Sequence, residues 1–415
     1  MSGRPQFEVA DIFRQHGPDF RLTHAPSPEQ RHVMRAIEQC RTSVLGGHVE
    51  LCDSCDFKRV SYNSCRNRHC PKCQSLAKAR WLAARRAELL PVEYFHVVFT
   101  LPEQLAMVAL QNQRVVYNLL FSTAAETLRT IAADPKHLGA EIGFLAVLHT
   151  WGQTLVHHPH LHCVVPGGGL SLDQQRWRSC RQGFFVSVTV LSRLFRRLFV
   201  AALLSACEKG QLTFHGSIAY LAQPPAFARL LASVRRLEWN VYAKPPFGGP
   251  EHVLDYLGRY THRVAISNHR LLAFENGNVT FRWKDYRRGN QQRHMTLPAD
   301  EFIRRFLLHV LPRGFQRLRQ FGLLANRSRK QKLARCRKLL GGPDAYTTAP
   351  HPPPKDYRAL YEALSGRSLD RCPACQSGKM FCSEILGPLA RTATRCAPTI
   401  PLRSPVAPAY SIDSS

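Results

Sequence analysis

Residues 151–170 have the sequence WGQTLVHHPHLHCVVPGGGL, in which two histidines flank one leucine at the start of an apolar run. The alternation of side chains in the second half of this stretch predicts a strand. Side chains two residues apart leave a strand on the same side, so His160 and His162 would project together while Leu161 points into the core. The sequence therefore predicts a sheet with two imidazoles on one face.

Metal binding is one role that this histidine pair can serve. Two imidazoles on one strand can hold a divalent cation and leave positions open for substrate oxygens, and such a cation would polarise a phosphate. The alternative is that both are ordinary hydrogen-bonded histidines, which are common on strands. The turn that ends the strand, Pro166-Gly167-Gly168-Gly169, and the basic character of the chain favour the metal.

Strand and helix patterns follow one another along the rest of the chain. Strands are predicted at residues 92–102, 143–156, 160–168 and, as a hairpin with Asn276-Gly277 at its turn, 270–286. Helices are predicted at residues 27–44, 72–90, 103–129 and 189–208, with a last one starting near Pro298. We therefore expect a protein of mixed α and β structure.

The chain is long and strongly basic. It has 415 residues, which favours two or three structural units, and 57 lysines and arginines against 29 acids give a net charge of +28. Such a surface favours a polyanionic partner, most commonly nucleic acid. No apolar run is long enough to span a bilayer, and the amino terminus lacks the apolar core of a secretory signal. We expect no membrane partner and a location in the reducing bacterial cytoplasm, near the nucleoid.

Cysteines in a reducing compartment indicate metal binding more than disulfides. Two Cys-x2-Cys pairs separated by fourteen residues can each present two thiolates from a tight turn and together close a tetrahedral zinc site. The predicted ligands are Cys52, Cys55, Cys70 and Cys73. His48, Cys65 and His69 lie close by, and each could replace one of the four. Four protein ligands leave no open position, so this zinc would be structural.

Two tyrosines are candidate nucleophiles. Tyr256 and Tyr260 are four residues apart on a predicted helix, so their side chains leave the same face. A phenol opposite a metal-bound phosphate can attack phosphorus and form a phosphotyrosine ester, and two phenols allow two consecutive transfers. The alternative is a core position, since Val253, Tyr256, Leu257, Tyr260 and Val264 form a helical apolar stripe.

Four strings in this order carry a family resemblance: YNSCRNRHCPKCQ (62–74), YFHVVFTLP (94–102), WGQTLVHHPHLHCVVPGGGL (151–170) and YLGRYTHRVAISNHR (256–270). Over roughly residues 30–340 the chain resembles the transposases of the insertion sequence ninety-one family. These are two-tyrosine members of the HUH (His-hydrophobe-His) endonuclease superfamily. The resemblance implies an α+β fold: an N-terminal zinc-binding module, an HUH-type antiparallel sheet flanked by helices, and a basic helical C-terminal arm.

The same resemblance implies roles for individual residues. His160 and His162 match the metal-binding pair, with Mg2+ or Mn2+ as the metal. Tyr256 and Tyr260 match the nucleophiles, which form 5′-phosphotyrosine links to single-stranded DNA at the element's ends and leave free 3′-hydroxyls. The superfamily usually has a third metal ligand; we assign Gln153, on the predicted neighbouring strand, with His149 and His158 as rivals.

The expected division of the chain has four parts. Residues 1–90 would form an N-terminal helix and the zinc-binding, DNA-binding module, and residues 91–300 the catalytic domain. Residues 301–341 carry twelve lysines and arginines against one acid and would form the basic helical arm. Residues 342–415, with a lone Cys372-x2-Cys375 pair, are expected to be a poorly ordered tail.

The sequence thus predicts a DNA transposase that cuts and rejoins single strands by a rolling-circle type of mechanism. A rolling-circle replication initiator or a relaxase-like nuclease would use the same chemistry on different DNA. A zinc-dependent DNA-binding regulator, whose histidines and tyrosines are structural, is the alternative outside the enzymes.

Overall fold

The structure, a computed structural model, describes residues 5–86, 88–183, 185–244, 252, 258, 265–341 and 356–389. Its helices are α1 (Val9–His24), α2 (Pro28–Gln39), α3 (Ser75–Arg86), α4 (Ala106–Gln111), α5 (Gln113–Ala133), α6 (Val188–Glu208), α7 (Pro224–Arg236), α8 (Ala299–Leu307), α9 (Arg329–Leu339) and α10 (Tyr357–Ser365). None of these helices combines the length and the apolar character needed to cross a membrane.

The strands make four antiparallel sheets. They are β1 (Gly47–Cys52), β2 (Lys58–Tyr62), β3 (Tyr94–Thr100), β4 (Ala140–Glu141), β5 (Gly143–Trp151), β6 (His157–Pro166), β7 (Gly168–Ser171), β8 (Trp177–Ser179), β9 (Val241–Lys244), β10 (Leu271–Glu275), β11 (Asn278–Asp285), β12 (Gln291–Pro298), β13 (Leu318–Gly322) and β14 (Met380–Leu386). The largest sheet has the order β13-β5-β6-β3-β9, and each neighbouring pair in it is antiparallel. The predicted α+β class is confirmed.

Alternation along β6 gives the central sheet two different faces. Leu161, Cys163 and Val165 are buried in the main apolar core, which α5, α6 and α7 cover. His160 and His162 lie on the opposite face, as predicted from their spacing. Each large apolar side chain fully buried under these helices contributes about 1.5–3 kcal/mol relative to exposure, so the apolar face anchors the strand that carries the histidines.

The turn between β5 and β6 differs from the expectation. The prediction joined the two strands at residues 157–159, but β5 ends at Trp151 and β6 already begins at His157. The reversal occurs over residues 152–156, where the Gly152 N–H donates to the Val156 carbonyl at 3.0 Å and Leu155 has a positive φ of 63°. Pro159 is tolerated in β6 because the register of its pairing with β5 shifts nearby, between His149 and Trp151.

A second core joins the N-terminal helices to the hairpin region. Side chains of α1 and α2 pack with β10, β11 and α8, and the rings of Phe13 and Phe306 meet edge-to-face with centroids 5.3 Å apart. Asn276 and Gly277 have φ values of 49° and 72°, as a tight hairpin turn requires. The N-terminal helices therefore pack on residues from the predicted catalytic domain, and the boundaries at residues 90, 300 and 341 stay predictions.

The predicted basic helical arm, residues 301–341, is only partly helical. Leu318–Gly322 forms the edge strand β13, which pairs with β5 from Leu318↔Val147 to Gly322↔Gly143. Phe321 stacks on Phe144 of β5 with ring centroids 5.1 Å apart. The packing of Phe321 against β5 favours a strand at these residues over a continued helix.

The predicted disordered tail also differs from the structure, over residues 356–389. Strand β14 pairs with β1 from Gly47↔Leu386 to Cys52↔Met380, in a sheet of order β14-β1-β2. Helix α10 is tied to the same sheet by Arg358, whose guanidinium donates to Glu50 at 2.7 Å. The backbone partners that β1 offers, and the buried charge of Glu50, account for the order that composition alone did not predict.

Glu50 should make the attachment of α10 sensitive to acid. Burial raises the pKa of Glu50, but the guanidinium groups of Arg59 and Arg358 outweigh it and hold the pKa below its ordinary value. A carboxylate with a lowered folded-state pKa adds stability above its unfolded pKa of about 4.3, and this stability is lost as pH falls through the folded-state pKa. Glu50→Gln is therefore expected to cost about 1–3 kcal/mol at pH 7 and progressively less in acid.

The measurement is urea unfolding of the zinc-loaded protein at pH 7 and at decreasing pH, followed by a probe in the β14-β1-β2 sheet. Glu126→Gln, at an exposed position on α5, is the matched control and should be within about 0.5 kcal/mol of the parent. An equal loss for Glu50→Gln at pH 7 and well below pH 4 would contradict this assignment.

Candidate active site and metal centres

Three histidines converge on one point of the central sheet. His149 on β5 is directly opposite His160 on β6, and His162 follows two residues later on the same face. One ring nitrogen from each lies within 4.8 Å of the others. Three imidazoles from two paired strands can hold a divalent cation from one side and leave its other positions open.

The third histidine of this group is His149, one of the two rivals of Gln153. The Gln153 side-chain nitrogen donates to the Tyr286 hydroxyl at 3.2 Å. His158 contributes its backbone carbonyl, which accepts a hydrogen bond from His160 Nδ1 at 2.6 Å. The β5–β6 register places His149 beside the histidine pair, and Gln153 lines the same cleft from the turn that follows β5, so the choice of third ligand stays a prediction.

Hydrogen bonds fix which ring nitrogens face the common point. Because His160 Nδ1–H donates to the His158 carbonyl, His160 Nε2 keeps its lone pair for a metal. His162 Nδ1 lies 2.7 Å from Nε2 of His96 on β3, and the two rings stack almost parallel. Sequence reasoning missed His96; its signal was a polar residue that alternates with the core residues Phe95 and Val97 in YFHVVFTLP.

Two histidines of this group, His160 and His162, are held neutral. Burial lowers the pKa of His160 to about 4, and burial together with the neighbouring imidazoles lowers the pKa of His162 well below its ordinary value. Both are unprotonated at neutral pH, and a neutral imidazole is the form that binds a metal. The donor set therefore fits a resident cation.

The histidine group opens into a cleft of about 1150 Å3. The cleft is lined by aromatic rings and cationic side chains, among them Tyr242, Trp283, Lys284, Tyr286, Arg288 and Arg293. Tyr242 and Tyr286 are half exposed or more. Flat rings and positive charges around one metal-binding point suit a flexible polyanion with bases that can stack.

The predicted nucleophiles Tyr256 and Tyr260 lie outside the described residues. Gly258, between them in the sequence, is described: it is buried and lies against the Leu82 side chain of α3. Leu82 packs with Val147 and Val164, which share the histidine-bearing face of the central sheet.

The cysteines form two groups where one was predicted. Cys70 and Cys73 join Cys40 and Cys65, and their sulfurs all lie within 4.8 Å of one another. Cys65 and Cys73 are 3.7 Å apart, and four thiolates at about 2.3 Å from a tetrahedral zinc would be about 3.8 Å apart. Hydrogen bonds from the other three thiols lower the pKa of Cys73, so the group already favours a thiolate.

Cys52 and Cys55 face a different pair, Cys372 and Cys375. The prediction that Cys52, Cys55, Cys70 and Cys73 share one zinc is therefore corrected. Hydrogen bonds from the Ser377 hydroxyl and from nearby backbone N–H groups lower the pKa of Cys375 to about 6.

The physical reason for the correction is that each Cys-x2-Cys turn supplies only two ligands, and the spacing does not say which other pair completes the tetrahedron. Among the alternates, Cys65 is a member of the first group. His48 and His69 belong to neither group: His48 lies 3.7 Å from Glu50, and burial lowers the pKa of His69 to about 3.

Cys40 was missed because it has no Cys-x2-Cys partner. The predicted helix 27–44 instead ends at Gln39, and Cys40 adopts an extended backbone with φ −60° and ψ 122°. This early end turns the Cys40 sulfur toward the other three. A cysteine at the last turn of a helix just before a cysteine-rich segment was the available signal.

Comparisons with known proteins find related transposases. A family model described as "Transposase zinc-binding domain" matches residues 12–101, and one described as "Putative transposase" matches residues 143–332. The chain is 62% identical over 383 residues to "Putative transposase y4qJ" of Sinorhizobium fredii, covering 91% of this chain and 95% of that protein. It is 29% identical to the transposase for insertion sequence element IS801 of Pseudomonas savastanoi pv. phaseolicola, covering 84% and 82%.

A solved structure of the conjugative relaxase TrwC in complex with oriT DNA aligns with 40% of this chain and 71% of that one, at 13% identity and a TM-score of 0.23. This alignment is too weak to support an inference. The zinc-binding match and the cysteine groups together show that the chain has a structural zinc-binding domain.

Cys40→Ser is expected to remove the zinc of the first group, because the remaining three thiolates leave one position of the tetrahedron to water. Metal analysis should show one zinc fewer per chain, with a lower melting temperature for the N-terminal region. Cys207→Ser, on α6 and outside both groups, should keep the parental zinc content. Unchanged zinc content in Cys40→Ser would contradict the assignment of Cys40.

Proposed function

Because the chain belongs to the transposases of the insertion sequence ninety-one family, we propose that it cuts and rejoins single-stranded DNA at the ends of its element. The proposed intermediates are 5′-phosphotyrosine esters, in a rolling-circle type of transposition in the bacterial cytoplasm. The observation that carries this proposal is the convergence of His149, His160 and His162 in a cleft lined by cations and aromatic rings.

The resident metal of the proposal is Mg2+ or Mn2+, held by these three imidazoles. When bound, it would neutralise charge on the scissile phosphate and leave the phosphorus open to attack. Of the two ions, Mn2+ fits nitrogen donors better, since Mg2+ prefers oxygen ligands. His158 orients His160 through its carbonyl, and His96 orients His162 through its ring, so the donor atoms are held in place before the cation arrives.

The nucleophiles of the proposal are Tyr256 and Tyr260. A phenol oxygen gives its proton to a water molecule and forms a bond to phosphorus, and the bond from phosphorus to the 3′-oxygen breaks. The 3′-oxygen takes up a proton from water and leaves as a free 3′-hydroxyl. The ester keeps the energy of the broken bond, so a second transfer needs no ATP. Support comes from Gly258, which lies between the two tyrosines in the sequence and contacts Leu82 of α3, the helix that packs on the histidine-bearing face.

In this proposal the cleft binds the DNA. Trp283, Tyr242 and Tyr286 offer flat surfaces on which unpaired bases stack, and each stacked base contributes about 1–3 kcal/mol. Lys284, Arg288 and Arg293 offer positive charge to phosphates without reading sequence. Single strands fit this arrangement better than duplexes, because the rings can be reached only by bases that are not paired.

The tyrosines are tested with labelled single-stranded DNA from an element end, incubated with the protein and Mn2+. A covalent protein–DNA adduct is expected, and the double variant Tyr256→Phe with Tyr260→Phe should form none while keeping DNA affinity. Tyr220→Phe, at an exposed site away from the cleft, should form the adduct at the parental rate.

Tight binding without an adduct under any divalent metal would favour the DNA-binding regulator. An adduct and cleavage without joining to a new site would favour the replication initiator or relaxase.

The third metal ligand is tested by comparing His149→Ala with Gln153→Ala. At limiting Mn2+, loss of a ligand in His149→Ala is expected to lower the cleavage rate by at least about 100-fold, as in His160→Ala and His162→Ala. The cleavage rate of Gln153→Ala should fall by less than about tenfold. His137→Ala, at an exposed site outside the cleft, is the control and should cleave normally. A larger loss of cleavage in Gln153→Ala than in His149→Ala would instead support Gln153 as the third ligand.

A further inference from the structure

We propose that a second zinc ion, bound by Cys52, Cys55, Cys372 and Cys375, fastens the C-terminal segment 356–389 to the N-terminal zinc-binding domain. The family match to that domain ends at residue 101 and contains only the first two of these ligands. The site therefore goes beyond the structural zinc that the match supports, and it does not depend on the proposed DNA chemistry.

The sulfur positions fit zinc. Cys52 Sγ lies 3.7 Å from Cys375 Sγ, Cys55 Sγ lies 3.7 Å from Cys372 Sγ, and all four lie within 4.8 Å of one another. Tetrahedral zinc with bonds of about 2.3 Å sets neighbouring thiolates about 3.8 Å apart, whereas a disulfide would need about 2.05 Å. The group has the spacing of a metal site and not of two disulfides.

The two turns that present these sulfurs have matching backbone hydrogen bonds. The Ser54 N–H donates to Cys52 Sγ and the Gly378 N–H donates to Cys375 Sγ, each at 3.3 Å. Such bonds stabilise the thiolate form and orient the ligand, as the outer shell of a structural zinc site does. Gly378 is required by this approach, because a Cβ there would come within 2.4 Å of the Cys52 sulfur and thus meet a ligand atom.

The two turns also bond to each other. The Asp53 N–H donates to the Lys379 carbonyl at 3.0 Å, and the Lys379 N–H donates to the Asp53 carboxylate at 2.8 Å. This reciprocal pair of bonds between Asp53 and Lys379 holds the two cysteine-bearing turns together.

The surroundings have too few apolar side chains to fold on packing alone. The buried members of this cluster are Cys52, Cys372 and Met380, with Phe57 partly buried beside them. In such small segments most of the folding free energy comes from the metal–thiolate bonds. The zinc would thus supply the folding free energy that apolar packing does not provide around these four cysteines.

The ligands are 317 and 323 residues apart along the chain. A metal that joins them closes a loop containing the whole histidine-bearing sheet, and it completes the β14–β1 pairing and the Arg358–Glu50 contact. We therefore expect the zinc-binding domain to reach its full stability only in chains that include residues 356–389.

Zinc content of the full-length protein tests this proposal. The parent should bind two zinc ions per chain, and the double variant Cys372→Ser with Cys375→Ser should bind one. Cys382→Ser, on β14 but outside the group, is the matched control and should bind two. Amide exchange of β14 and β1 should become faster in the double variant, while the central sheet stays protected. One zinc in the parent, or two in the double variant, would overturn the proposal.

Alkylation of the parent protein gives a readout that does not depend on how well a variant folds. In the zinc-loaded protein, Cys375 is expected to react with iodoacetamide at least about tenfold more slowly than the exposed Cys382, because a zinc-bound thiolate is shielded. Removal of zinc by a chelator should abolish that difference. Equal reaction rates of Cys375 and Cys382 before chelation would overturn the proposal.

Discussion

Backbone pairing between β5 and β6 determines where the functional imidazoles lie. The register His149↔His160 and Val147↔His162 brings side chains from two strands to one face within reach of a single cation. A shift of one residue in this register would turn either His149 of β5 or the two histidines of β6 into the apolar core. The core prevents such a shift, because Leu161 and Cys163 on the other face of β6 are completely buried under helices. The geometry of the histidine group is therefore fixed by packing on the opposite side of the sheet.

The same burial controls the chemistry of the histidines. An imidazole removed from water loses the stabilisation of its charged form, so it stays neutral and keeps a lone pair for a metal. Neutrality alone does not set the direction of that lone pair. A hydrogen bond to the other ring nitrogen fixes the orientation of the ring. His160 uses a backbone carbonyl and His162 uses His96. His157, at the start of the same strand, bonds to the Tyr117 hydroxyl at 2.8 Å and has a structural role.

The sequence predicted those features that depend on local periodicity. Alternation identified His160 and His162 as neighbours on one face, and the Asn276-Gly277 pair identified the hairpin. Features that depend on contacts between distant segments could not be predicted in this way. His149 is set by the register between strands, and the partners of each cysteine pair are set by how remote segments meet. The edge strand β13 was missed because it is only five residues long and forms by pairing with β5, which is remote in the sequence.

The position of β13 has a consequence for shortened genes of mobile elements. Leu318–Gly322 covers one edge of β5, and this segment is among the later parts of the chain to be synthesised. A product ending before residue 318 would keep the histidine strands but expose the backbone N–H and C=O groups of β5 along an apolar edge. Exposed edges of this kind pair with other chains. Truncated copies would therefore aggregate instead of persisting as folded protein.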